Sequence, residues 1–341
     1  MRWLVTGGAG FIGAHFVNLV VRERPDVELV NVDALTYAAA PARLAALRPG
    51  AAYRFVRADI CDAGHMRQVL HGVDAVLHFA AESHVDRSVL AADAFVRSNV
   101  LGTQVLLDAA RLAGVARFVL ISTDEVYGSV PEGRRSRESD ALAPNSPYAA
   151  SKAAAELLVR AAVQTFGFPA LLTRGSNTYG AWQFPEKLVP LTIRAALADQ
   201  PIPLYGNGQQ VRNWLAVEDH CRGVLAALER GTPGESYNLG GNSEITNETL
   251  VKTILERLGK PATLIRQVAD RPGHDFRYAL DSSKAQHDLG WQPRASLEEE
   301  LQRTIDWYRE HAAWLQEVGG GEFTRYYEQQ YGSRLAGAPP S

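Results

Sequence analysis

Cysteine is nearly absent from the 341-residue sequence. Cys61 and Cys221 alone cannot build a disulfide framework or a zinc cluster, and they fit a reducing compartment. No apolar run is long enough to span a membrane, and the amino terminus opens on strand-like Arg2–Thr6 without a basic, apolar, small-residue leader. A cytoplasmic protein is expected. Charge of one sign is lacking too: the net charge is −3 and the pI is near 6.3, with no local basic patch, which argues against a nucleic-acid partner. Lysine is scarce, five against thirty arginines, which reads as compositional bias. Internal repeats and metal-ligand clusters are missing, so no metal is expected. What remains is ordinary for a globular chain, 46 % hydrophobic and 21 % charged residues.

The first half alternates short apolar runs with helical stretches. Trp3–Thr6, Leu29–Val32, Arg54–Ala58, Ala75–Phe79, Arg117–Ser122 and Ala170–Thr173 read as strands. Phe11–Glu23, Met66–Leu70, Gly102–Leu112 and Tyr148–Phe166 read as helices. Nearly continuous apolar strands spaced by helices predict an α/β fold with a doubly wound, Rossmann-type parallel sheet. Beyond residue 175 prolines break the rhythm, and Ser236–Leu239 and Thr263–Val268 read as isolated strands. A smaller mixed α/β lobe is expected there. The division expected is 1–175 plus about 212–232 (with helix Val217–Leu228) for the sheet domain, 176–211 and 233–330 for the lobe, and 331–341 as a flexible tail. Ser129–Pro147, polar and rich in arginine and proline, reads as a surface loop.

Thr6-Gly7-Gly8-Ala9-Gly10-Phe11-Ile12-Gly13 joins the first strand to the first helix. Glycine permits close backbone approach to a pyrophosphate, and a helix amino terminus presents free N–H groups to it. A plain strand-to-helix turn is the alternative. Asp33 closes the next strand twenty residues after Gly13, where a carboxylate binds an adenine ribose 2′-hydroxyl and repels a 2′-phosphate. NAD is therefore expected over NADP. Asp59, Ile60 and Ala80 to Ser83 fall at strand ends along the same crevice.

Tyr148 and Lys152 lie four residues apart on one helix and share a face. A phenol becomes a usable proton acceptor when neighbouring positive charge lowers its pKa. Twelve tyrosines and five lysines give about 0.2 such pairs by chance, so position matters more than the pair itself. Thr123 ends the fifth strand at the same edge, and Asp124 and Glu125 follow it. Two adjacent carboxyls at a buried strand end serve as a helix cap or a loop ion pair, or as an acid and a base for expelling water.

The glycine loop, the Tyr148–Lys152 pair and Asp33 resemble the extended short-chain dehydrogenase/reductase superfamily. Ala80-Ala81-Glu82-Ser83-His84-Val85-Asp86-Arg87-Ser88, Ser122-Thr123-Asp124-Glu125-Val126-Tyr127-Gly128, Phe184-Pro185-Glu186-Lys187-Leu188-Val189-Pro190 and Arg271-Pro272-Gly273-His274-Asp275 resemble the dTDP-glucose 4,6-dehydratase family, over residues 1 to about 330. The resemblance implies a lyase with tightly bound, recycled NAD that forms the 4-keto-6-deoxy sugar. Tyr148, Lys152 and Thr123 would oxidise C4, Glu125 would take the C5 proton, and Asp124 would protonate the departing C6 oxygen. It also implies cofactor contacts from Gly7, Gly10, Phe11, Ile12, Gly13, Asp33, Ala34, Leu35, Thr36, Ser98 and Thr178. Implied substrate contacts are His84, Thr123, Asn177, Glu186, Lys187, Leu188, Pro203, Leu204, Tyr205, Arg212, Asn247, Asp270, Arg271, Pro272, Gly273 and His274. Lys187, Arg212 and Arg271 are the cations a diphosphate needs, Arg212 foremost.

Departures from the family pattern are Thr178 for a second asparagine, Ala181-Trp182 for Pro-Tyr, and Asn213 and Ala216 where Asp and Tyr are common. A UDP-glucose 4,6-dehydratase and a nucleotide-sugar C4 epimerase are the alternatives. An epimerase needs no acid and base for losing water, and a non-catalytic NAD-binding regulator needs none of these side chains. Helix Tyr148–Phe166 and the stretch Val100–Ala113 are apolar around most of their circumference, and the resemblance implies that these two helices pair across a two-fold axis, so a homodimer built on a four-helix bundle is expected.

Overall fold

Seven parallel strands form the main sheet of the computed structural model, which describes residues 1–45, 47, 52–318 and 320–335. They are β1 (Arg2–Thr6), β2 (Glu28–Asp33), β3 (Tyr53–Arg57), β4 (Ala75–His78), β5 (Arg117–Thr123), β6 (Ala170–Gly175) and, after the lobe strands β7 (Asn177–Tyr179), β8 (Ile202–Tyr205) and β9 (Val211–Ala216), β10 (Ser236–Leu239). The order is β10-β6-β5-β4-β1-β2-β3. The order in which successive strands are added therefore reverses between β1 and β4, and a crevice opens there at the carboxyl ends of the strands. Central strands carry apolar side chains to both faces: Val5, Leu29, Leu77 and Val119 join one core, and Leu4, Val30, Val76 and Leu120 the other. Helices Phe11–Glu23 and Val217–Arg230 cover the first face; Ala63–Val69, Thr103–Leu112 and Pro147–Phe166 cover the second.

Two helix starts position the chemistry. Helix Phe11–Glu23 has Gly10 as its N-cap, with no capping side chain and no acid in its first turn, so its amino end stays open to an anion. Helix Pro147–Phe166 is fixed firmly: Ser146 accepts the Ala149 N–H at 3.1 Å, Pro147 starts the first turn, and Gly167 ends it in the left-handed region at φ 62°. This sets Tyr148 and Lys152 in the first turns, against β5.

The lobe differs from its expected outline. Ser236–Leu239 is not isolated but is the edge strand of the main sheet, paired in parallel with β6, so it belongs to the sheet domain. Tyr237 and Leu239 are fully buried in the sheet core, which supplies the driving force. Helix Ser283–Leu289 packs beside it, with Ala285 and Leu289 in that core. The other lone strand, β12 (Ile265–Val268), pairs in parallel with β8, and β11 (Ser243–Thr246) pairs antiparallel with β9, which carries β7 on its other side. The expected tail also changes, since helix Glu322–Leu335 includes residues 331–335 and buries Phe323, Tyr326, Gln330 and Tyr331. Residues 336–341 lie outside the described residues. Among the described residues no helix is long and apolar enough to cross a membrane.

Candidate active site

A cavity of about 500 Å³ runs from the glycine loop, past the ends of β4 and β5, to the lobe segment Gln183–Val189. Gly7 sits at φ 71°, and a Cβ there would come within 2.6 Å of the Ala80 nitrogen; one on Gly13 would collide with the Gly7 carbonyl. These glycines let the loop press against β4 and leave the cradle open. Asp33 is more committed than the sequence suggested. Its two oxygens accept the Ala9 N–H at 2.9 Å and the Leu35 N–H at 2.8 Å, so it shapes the loop while facing the cavity, and burial raises its pKa. Arg43 is buried beside it, donating to the Ala9, Ala38 and Trp182 carbonyls.

The cavity wall includes all the expected glycines, Phe11, Ile12, Asp33, Ala34, Thr36, Asp59, Ile60, Ala80, Ala81, Glu82, Ser83, Ser98 and Thr178. Leu35 does not line it; its φ of 56° turns the chain at the end of β2. The Thr178 hydroxyl donates to the Ser176 carbonyl at 3.0 Å and accepts from His220 Nδ1 at 2.8 Å. That bond leaves His220 Nε2 as a buried acceptor without a partner.

Thr123, Tyr148 and Lys152 meet at the end of β5. The Thr123 hydroxyl donates to Asp124 Oδ1 at 3.2 Å and lies near the Tyr148 phenol, and Lys152 Nζ donates to the Ile121 carbonyl at 2.7 Å. Burial lowers the Lys152 pKa to about 8, opposed by Glu156. Tyr148 departs from expectation: burial and the charges of Glu125 and Asp124 raise its pKa, so the protein alone does not make a ready phenolate. Extra positive charge is needed beside it, and the cradle opens onto that spot.

Among the described residues, Asp124 and Glu125 neither cap a helix nor form an ion pair. Thr123 takes the capping role, its Oγ1 accepting the Glu125 N–H at 3.3 Å. Each acid keeps one buried oxygen without a partner, and both line the cavity. Burial and the Glu125 charge push Asp124 up to about 8. Burial raises Glu125 as well, but Arg271, Lys187 and Arg212 oppose it. The pair is therefore split, with Asp124 holding the proton and Glu125 the readier base.

The expected substrate contacts divide. Asn177, Glu186, Lys187 and Leu188 line the cavity, and Lys187 Nζ reaches the Ser83 carbonyl at 2.8 Å. Glu186 is already engaged by Tyr37 at 3.0 Å and Arg87 at 2.9 Å. His84 lies behind the wall, its Nε2 on the Glu186 carbonyl at 3.1 Å. Arg212 donates to the backbone carbonyls of Val211, Asp275 and Phe276 and lies over the Tyr278 ring. Arg271 pairs with Asp86 at 3.1 Å, and His274 Nδ1 with Asp270 at 2.6 Å. Leu204 points into an apolar core of the lobe, Pro203 is buried in β8, and the Tyr205 hydroxyl goes to Asp86. Asn247 starts helix Asn247–Leu258 with its Oδ1 buried and unpartnered, while Pro272 and Gly273 form the turn next to Asn145. None of this second group lines the cavity. Sequence reasoning missed Arg97, Ser122, Ser176, Phe184, Trp214 and His220 on its wall. Ser122 and Ser176 sit at or just beyond the carboxyl ends of β5 and β6, which is a usable signal; the others come from a loop, two helical segments and the lobe strand β9, which only folding brings in.

The comparisons with known proteins agree with this geometry. The family described as GDP-mannose 4,6 dehydratase matches residues 4–304. A dTDP-glucose 4,6-dehydratase from Streptomyces niveus is 48 % identical over 318 residues, covering 92 % of this chain and 94 % of the relative. The dTDP-glucose 4,6-dehydratase 1 of Escherichia coli (strain K12) is 44 % identical over 361 residues, covering 98 % and 100 %. In structure, a dTDP-glucose 4,6-dehydratase from Streptomyces venezuelae crystallised with NAD superposes with a TM-score of 0.91 at 49 % identity, over 93 % of this chain and 100 % of that one. With the fold, the split acid pair and the glycine cradle in place, the chain belongs to the dTDP-glucose 4,6-dehydratase family.

Proposed function

We propose that the protein dehydrates dTDP-glucose to the 4-keto-6-deoxy sugar nucleotide, with NAD in the glycine cradle. The observation that carries this reading is the pair of adjacent buried carboxyls beside Tyr148, one biased to hold a proton and the other to accept one. When bound, NAD supplies a hydride acceptor for C4 and a hydride donor for C6 and is not consumed. Tyr148 takes the C4 hydroxyl proton, with Thr123 holding the same oxygen. Lys152 keeps a positive charge one turn away from the phenol. The 4-ketone acidifies the C5 proton, which Glu125 removes, and Asp124 gives its proton to the C6 oxygen as water leaves. Lys187, Arg212 and Arg271, which converge electrostatically on Glu125, are the cations for the diphosphate. A C4 epimerase has no use for the two carboxyls.

The same reading makes the enzyme a cytoplasmic homodimer. Ala150, Leu157 and Ala161 form one exposed stripe on helix Pro147–Phe166, and Leu101 is exposed in the helical segment Val96–Gly102 that leads into helix Thr103–Leu112. Leu157 at 58 % and Leu101 at 47 % exposure are large apolar groups that a four-helix contact with a second copy would cover. Mass spectrometry of the products from a panel of dTDP- and UDP-sugars tests the function: loss of water from dTDP-glucose supports it, and an unchanged or merely isomerised panel refutes it.

A further inference from the structure

Asp86 opens the short helix Val85–Leu90 and is buried outside the cavity. Its Oδ1 accepts Arg271 Nη1 at 3.1 Å, and its Oδ2 accepts the hydroxyls of Tyr205 at 2.7 Å and Tyr326 at 3.3 Å. Tyr331 approaches the same oxygen at 3.5 Å, and Gln330 holds the Tyr205 hydroxyl at 2.7 Å. Tyr326, Gln330 and Tyr331 all come from helix Glu322–Leu335, whose start is pinned by Glu322 to Arg87 at 3.0 Å. Groups from three distant segments thus close on one carboxylate. Each partner arrives as a donor, an arrangement only the ionised form accepts.

Arg271 is shared ground. Its guanidinium is buried, its Nε has no partner among the described residues, and it is the foremost cation acting on Glu125. Among the described residues Glu125 itself is in no ion pair and keeps Oε2 buried and free. Were Arg271 to leave Asp86, the carboxylate it would find is Glu125. A direct ion pair there would weaken the base and occupy the cation.

We propose that Asp86, clamped by the carboxy-terminal helix, is a positioning residue that holds Arg271 off Glu125 and keeps the guanidinium available to the substrate. This rests on the dehydratase reading above. Without the Asp86 charge, Arg271 moves onto Glu125 and the Glu125 pKa falls. The other groups facing Glu125 are Lys187 and Arg212, the acids Asp124 and Asp275, and the phenols Tyr148 and Tyr278. Of these, Lys187 also feels the Asp86 charge, which favours its ammonium form, and Arg271, the foremost cation on Glu125, sets the sign.

The test compares the full-length protein with Asp86→Asn and with Tyr326→Phe/Tyr331→Phe, measuring kcat and KM for dTDP-glucose across pH. For Asp86→Asn, KM rises and kcat falls, each on the order of tenfold, and the acid limb of kcat moves to lower pH by about one unit. The double phenylalanine variant moves the limb the same way by a smaller amount. A merely structural Asp86 lowers the melting temperature and leaves the limb in place, which overturns the proposal. If Asp86→Asn does not fold, the double variant decides: a displaced limb supports the proposal and an unmoved one overturns it. Wild-type protein in the same assay separates the two readings. A wild type that forms no dehydrated product refutes the function, and the positioning role falls with it; an active wild type with unmoved variant limbs refutes the positioning role alone.

Discussion

Glu125→Gln separates oxidation from elimination. Glutamine preserves the shape of a half-buried side chain that takes part in no ion pair among the described residues, so no such contact is lost. It also removes a buried charge that burial disfavours, so the fold is not expected to weaken. What disappears is the only carboxyl of the pair inclined to accept a proton, because Asp124, at about 8, is roughly nine-tenths protonated at pH 7. Loss of a positioned general base costs on the order of 100- to 10,000-fold, or about 3–5 kcal/mol of barrier. Thr123, Tyr148 and Lys152 remain, so C4 oxidation continues. Mixed with dTDP-glucose, the variant therefore accumulates the absorbance of reduced nicotinamide while releasing little 4-keto-6-deoxy product. Tyr148→Phe suppresses both signals. Elimination by Glu125→Gln at the wild-type rate would show that Glu125 is not the base and would refute the assignment.

Asp33→Ala frees the Ala9 and Leu35 N–H groups as well as any ribose contact, and should weaken NAD binding about tenfold or more in titration calorimetry; a wild type that prefers NADP contradicts the reading of Asp33. Activity should fall as pH rises through about 8, where Lys152 loses its proton and Asp124 loses the one it donates; a pH–rate profile flat to pH 10 refutes both roles. Buried His78 and His220, lowered to about 3 and about 4 by burial, stay neutral in the fold but bind protons once unfolded. Melting temperature should thus hold above about pH 6.5 and drop as pH falls toward 4, and His220→Gln should flatten that slope. Leu157→Glu should convert a dimer into monomers by light scattering, whereas a monomeric wild type at micromolar concentration removes the basis for the four-helix contact.

Legibility in the sequence followed the range of the physics. The glycine loop, Asp33 and the Tyr148–Lys152 spacing are local patterns, and each lands on the cavity wall because a strand end or a single helix turn fixes it. Asp124 and Glu125 were visible as an unusual pair, yet the split between them depends on Arg271, Lys187 and Arg212, which arrive from three remote segments. Ser236–Leu239 was recognisable as a strand but not as the seventh of the main sheet, since nothing local encodes its pairing with β6. Tyr326 and Tyr331 gave no signal at all. Helix Glu322–Leu335 has polar residues all around, and only its docking onto Asp86 shows what its tyrosines do.

The central claim is that one active site oxidises C4, expels water across C5 and C6, and returns the same hydride to C6. dTDP-glucose deuterated at C4, converted by a catalytic amount of the protein in ordinary water, tests it most directly through the position of the label in the product. The account predicts a dehydrated 4-keto-6-deoxy product that retains deuterium at C6 and carries a solvent proton at C5. A product isomeric with the substrate, or a dehydrated product whose deuterium has been lost, would contradict it.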